Sequence, residues 1–66
     1  MYEIGLVSGP SSPATEIVGP FIDRHAAAKA AAERNKEQQR VFFPSWMWAR
    51  KNEIPRASNC IDRVNS

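Results

Sequence analysis

From Tyr2 to Val7 the chain alternates Tyr2, Ile4 and Leu6 with Glu3, Gly5 and Val7. That period of two predicts a strand with one face buried. Ser8–Ala14, SGPSSPA, consists of turn-forming residues, and its prolines and Gly9 stop the strand in a surface loop. Thr15–Ile22 resumes an extended pattern, with Ile17, Gly19 and Phe21 on one side and Glu16, Val18 and Pro20 on the other. The two strands predict a hairpin with a wide loop. Pro20 has no N–H to give to a ladder, so the second strand should be an edge there or end near it.

Asp23 has the chemistry of an N-cap, because its carboxylate can accept from the free N–H groups of a first helical turn. The alanine-rich stretch from Arg24 to about Gln38 lacks Gly and Pro and predicts a helix. At 100° per residue, Ala27, Ala31 and Gln38 centre one face, flanked by Ala28 and Ala30. His25, Lys29, Glu33, Lys36 and Arg40 lie opposite. An alanine face buries little area but lets another element approach closely, so bulk must come from the strands.

Arg40 to about Lys51 predicts a third strand. Held in one register, it turns Val41, Phe43 and Met47 to one side and Phe42, Trp46, Trp48 and Arg50 to the other. Pro44 interrupts the ladder and implies a bulge or an edge. The remaining segment is polar, with Ile54, Ile61 and Val64 scattered through it. Ser58 is placed to cap a short helical turn through Ile61–Val64, and the last residues should fray. The expected fold is α+β, ordered β-β-α-β: a three-stranded sheet in the order 2-1-3 with one Ala-rich helix on one face. Residues 1–53 form this single domain and residues 54–66 a C-terminal tail.

This arrangement makes the Val41–Lys51 run the point of interest. It holds Phe42, Phe43, Trp46 and Trp48, leaving only Tyr2 and Phe21 as aromatics elsewhere. One helix covers one face of a sheet, so if the strand keeps one register, Val41, Phe43 and Met47 are expected under the alanines, with Phe42, Trp46 and Trp48 facing away; a register change at Pro44 would instead put Trp46 and Trp48 on the helix side. A large apolar side chain left in water forgoes roughly 1.5–3 kcal/mol, and exposed apolar patches mark contact surfaces. Trp46, Trp48 and Arg50, at i, i+2 and i+4, would form a row spaced about 7 Å apart. Such a row suits a shared core between copies, a protein partner, or stacking on a base or nucleotide. The candidate ligand- or partner-binding residues are therefore Trp46, Trp48, Arg50, Lys51 and Phe42.

Charge adds a second patch. Residues 1–33 hold Arg24 and Lys29 against Glu3, Glu16, Asp23 and Glu33. Residues 34–66 hold Arg34, Lys36, Arg40, Arg50, Lys51, Arg56 and Arg63 against Glu37, Glu53 and Asp62. The basic second half can face an anionic partner, with Arg34, Lys36 and Arg40 as a secondary basic patch. Nucleic acid is an alternative partner, bound weakly and with strong salt dependence. A solvated basic surface is the plainer interpretation.

Sixty-six residues make one small domain near the lower limit for folding alone. Cys60 is the only cysteine, so no disulfide forms within the chain. One Cys and one His do not make a zinc site. Self-association, as a dimer or higher oligomer, is the remaining means of adding buried area. A lone cysteine and the lack of a signal-like start or a long apolar run lead to the expectation of a cytoplasmic protein with no membrane contact. Candidate catalytic chemistry is sparse. Gly5, Gly9 and Gly19 are isolated, His25 lies on the expected exposed helix face, and Ser11, Ser12 and Ser45 have no other histidine to serve as base. No carboxylate pair is set for acid/base work. The expectation is a protein that is not an enzyme, with no cofactor and no metal.

The stretch GPFIDRHAAAKAAAERN, Gly19–Asn35, after a short hairpin and before an aromatic strand, resembles the small orphan proteins of bacteriophages and mobile elements. Among these, inhibitors of bacterial immunity (anti-CRISPR-like or signal-sequestering) are a common class. The resemblance implies a small phage-encoded, non-enzymatic binding protein in the host cytoplasm. It would inhibit a host defence protein or sequester a small anionic, nucleotide-like ligand. A nucleic-acid-binding accessory protein and a structural subunit of a larger assembly are the alternatives.

Overall fold

A computed structural model describes residues 1–64. The chain is α+β, with one helix and a four-stranded mixed sheet. The elements are β1 (Tyr2–Val7), β2 (Ala14–Phe21), α1 (Arg24–Glu37), β3 (Ser45–Arg50) and β4 (Arg56–Val64). The sheet order is β3-β1-β2-β4. β1 pairs antiparallel with both β2 and β3, and β2 pairs parallel with β4.

The helix begins where the capping chemistry puts it: the Asp23 carboxylate accepts from the Ala26 N–H at 2.7 Å. Ala27 and Ala31 are its buried residues. It lies over β3, β1 and β2 and packs on Ile4, Val18, Phe21 and Trp46, with Tyr2 and Leu6 at the margin.

The second apolar cluster, on the opposite sheet face, joins Val7, Ala14, Ile17 and Ile54. Ile54 belongs to residues 51–55, which leave β3 at one edge, pass beneath the sheet and deliver β4 to the other edge. Gly5 makes this passage possible, since a Cβ there would meet Ile17 Cδ1 at 3.0 Å and Ile54 Cδ1 at 3.2 Å. Ala14 N–H donates to Pro55 C=O at 2.7 Å, locking the end of the crossing. β1 is therefore covered on both faces, and Glu3, Ile4 and Gly5 are all buried.

Four expectations need correction. The sheet has a fourth strand: the segment expected as a polar tail with a helical turn is β4. The expected fraying of the chain end falls partly on residues 65–66, which lie outside the described residues. β2 is an internal strand, although Pro20 does lie near its end. A register shift between Tyr2↔Phe21 and Ile4↔Val18 inserts one extra β2 residue, so Phe21 joins Val18 beneath the helix, away from Ile17.

The fourth correction concerns the aromatic run. Val41–Pro44 lie outside the ladder, and β3 starts at Ser45. Trp46 is then the residue under the alanines, 4% exposed, while Met47 faces the other way. An indole buries roughly 150–250 Å2, or about 4–6 kcal/mol at ~25 cal/mol per Å2. That exceeds what Met47 would contribute in the same place, and the small Ala27 and Ala31 leave room for it. α1 also satisfies the polar groups of Trp46. The Asn35 side chain accepts from the Trp46 backbone N–H at 2.7 Å and donates to its C=O at 3.1 Å. Gln38 Oε1 accepts from the indole N–H at 3.3 Å.

Candidate functional site

The Asn35 bonds show that the backbone groups of Trp46 point away from β1. By alternation, those of Trp48 and Arg50 do so too, and β3 is the outer strand on that side. The Arg50 C=O is occupied by the Glu53 N–H at 3.0 Å. Backbone pairing along this edge is thus limited to Trp48 and its surroundings, and function at β3 falls to side chains.

Trp48 shares the helix-side face with Trp46 but lies beyond the alanines. It is 43% exposed, and its indole meets Tyr2 edge-on, with ring centroids 6.1 Å apart at 66°. Tyr2, Arg24, Trp48, Ala49, Arg50 and Glu53 line a groove of about 310 Å3 around it. Three elements build this groove. β1 supplies Tyr2, which pairs with Arg50 across the ladder. The first residue of α1 supplies Arg24, and β3 with its following turn supplies the rest. The outcome is a half-open indole in a groove that two exposed arginines and one acidic residue, Glu53, also line. An aromatic face with adjacent cations can stack on a planar ring while pairing with an attached anion.

Of the residues expected at a site, Trp48 and Arg50 come together here. Trp46 does not, being core. Lys51 turns to the opposite sheet face, into a cavity of about 170 Å3 that it lines with Glu3, Arg56 and Asp62. Phe42 lies at the other end of β3, in the α1–β3 loop, and is 84% exposed. The secondary basic patch is partly used inside the fold. The Arg34 guanidinium stacks over the Trp46 ring at 4.9 Å from its centroid. Arg40 donates to Gln38 Oε1 at 2.6 Å and to Pro44 C=O at 3.4 Å. Lys36 is exposed. Tyr2, Arg24 and Glu53 escaped the sequence reading because each reaches the groove through long-range pairing or the placement of α1, which no local pattern encodes.

The Lys51 cavity contains the chain's one buried charged residue among the described residues, Glu3. Its carboxylate accepts from the Asn52 N–H at 3.1 Å and from Arg56 at 2.9 Å. Arg56 also donates to Asp62 at 3.1 Å. The Asp62 hydrogen bond is the leading cause that raises the Arg56 pKa, with Glu3 adding to it and burial opposing. These bonds tie the residue 51–55 crossing and β4 to β1. Arg63 and Glu16 form a further bridge at 2.6 Å between β4 and β2. Cys60, expected on a polar tail, packs instead beside the second apolar cluster. Burial, then the nearby Asp62 charge, push its thiol pKa up.

Comparison with known protein families, curated proteins and solved structures found no match to this chain. Among the described residues no helix is long and apolar enough to cross a membrane.

Proposed function

We propose that this chain is a small non-enzymatic binding protein that captures a nucleotide-like ligand, a planar ring carrying a phosphate, in the Trp48 groove. The observation that carries the reading is the half-open Trp48 indole, edge-on to Tyr2, in a groove that Arg24 and Arg50 also line. Stacking on such a face contributes about 1–3 kcal/mol per base, and each guanidinium offers charge-assisted hydrogen bonds to phosphate. The resemblance to phage orphan proteins accords with a signal-sequestering role. Inhibition of a defence protein is the second reading, and it draws on the exposed Val41–Phe43 loop. A nucleic-acid role would use the same groove on a strand end.

The test uses tryptophan emission. Trp46→Phe keeps a ring in the core and leaves Trp48 as the sole indole. Titration with AMP should quench its emission, while adenosine and inorganic phosphate should each bind more weakly. Arg24→Ala and Arg50→Ala should weaken AMP more than adenosine. A folded protein whose Trp48 emission is unmoved by millimolar AMP, GMP or UMP defeats the proposal. Native mass spectrometry of freshly purified protein provides an independent check, through any retained nucleotide-sized mass.

A further inference from the structure

Glu53 is the one acidic residue that lines the Trp48 groove. Its side chain is exposed. Among the described residues the arginine ion pairs belong to Arg56 and Arg63, so Arg24 and Arg50 share the groove with Glu53 without bridging to it. Opposite charges held apart in one groove are free to meet different parts of one ligand.

The turn that carries Glu53 is fixed on both sides. The Lys51 N–H donates to Met1 C=O at 3.0 Å, and the Glu53 N–H to Arg50 C=O at 3.0 Å. Asn52 has a left-handed backbone, φ 71°, and its N–H donates to the Glu3 carboxylate at 3.1 Å. Ile54, the next residue, is anchored in the second apolar cluster. Glu53 also borders an apolar groove that Met47 and Ile54 line. Bordering both grooves places it at the outer edge of β3, next to Trp48.

Resting on the nucleotide-binding role proposed for this groove, we infer that Glu53 selects the base and that the base is guanine. A carboxylate only accepts hydrogen bonds. Guanine sets two donors, N1–H and the N2 amine, side by side on its pairing edge, where they match the two carboxylate oxygens. Adenine and cytosine each set one amine beside a ring nitrogen that is itself an acceptor, and its lone pair opposes the second oxygen. In uracil the N3–H lies between two carbonyl oxygens. Guanine alone gives Glu53 two charge-assisted bonds. With the ring stacked on Trp48 and its pairing edge at Glu53, Arg24 and Arg50 remain for the phosphate.

Tryptophan emission of the Trp46→Phe protein, titrated with GMP, IMP and AMP, tests this, and equilibrium dialysis of the same three against the wild-type chain gives a second readout. GMP should bind at least about tenfold more tightly than AMP, the effect of one added hydrogen bond to a charged group. IMP keeps N1–H but lacks the N2 amine, and should fall between them. Glu53→Gln should abolish the preference for GMP, with an unchanged circular dichroism spectrum separating loss of selectivity from loss of fold. The IMP comparison needs no substitution, so it decides even where the variant does not fold. Equal binding of GMP and AMP overturns the inference and leaves the nucleotide site standing. So does a guanine preference that survives Glu53→Gln. Binding of none of the three removes the nucleotide site itself, and the inference with it.

Discussion

Replacing Arg56 with Met tests what holds the underside of the sheet. Glu3 is the first polar position of β1, yet its side chain is only 4% exposed, against 32% for Arg56. Without Arg56, the Glu3 carboxylate keeps one donor, the Asn52 N–H, in a site that water barely reaches. Breaking a fully buried pair costs about 3–5 kcal/mol. Arg56 is a third exposed, so solvent screening lowers the expected cost to about 2–3 kcal/mol. A chain of this length has a total stability of roughly 3–10 kcal/mol, so the variant should lose a large share of it. Asp62 is 64% exposed, and Asp62→Asn should cost less than about 0.5 kcal/mol. Glu3→Gln removes the charge that needed a partner and should cost about 1 kcal/mol. Urea unfolding followed by tryptophan emission measures all three, and the Glu3→Gln/Arg56→Met cycle isolates their coupling at about 1–2 kcal/mol. An Arg56→Met cost below about 0.5 kcal/mol would refute the reasoning. Ile54 and its apolar neighbours would then hold the crossing without the ion pair.

Other perturbations probe separate links. Asn35→Ala strips both side-chain bonds from the Trp46 backbone and should cost about 2–3 kcal/mol in urea unfolding; a change within error would mean water replaces the amide fully. Gln39 has a left-handed backbone, φ 54°, just past the helix end. Gln39→Gly should stabilise by up to about 1 kcal/mol, raising Tm by several degrees, and a lower Tm would show that its side chain matters more than its φ. The raised Cys60 pKa leaves less thiolate at a given pH. Alkylation of the folded protein should therefore be slower than that of the urea-unfolded chain at pH 8, and equal rates would place Cys60 outside the β4 packing.

The local elements were legible along the chain because their causes are local. SGPSSPA cannot continue a strand, Asp23 caps whatever follows it, and the alanine run favours a helix wherever it packs. Placing β3 next to β1 followed from the same reasoning, through the preferred hand of a β-α-β crossover. β4 was hidden because RASNCIDRV has no apolar alternation. It becomes a strand only where β2 offers a free edge and Arg56 and Arg63 find Glu3, Asp62 and Glu16. The candidate site was half visible, since Trp48 and Arg50 share a face in any strand register. Strand period alone left open which face that was. The folded chain set it by burying Trp46 against Ala27 and Ala31, with Asn35 and Gln38 in reach of its polar groups. That packing leaves Trp48 beyond the edge of the helix and brings Tyr2 and Arg24 beside it. Sequence determined the elements because backbone propensity and capping act within a few residues. Tertiary structure decided the faces, the fourth strand and the groove because each depends on which distant side chain fills a given space.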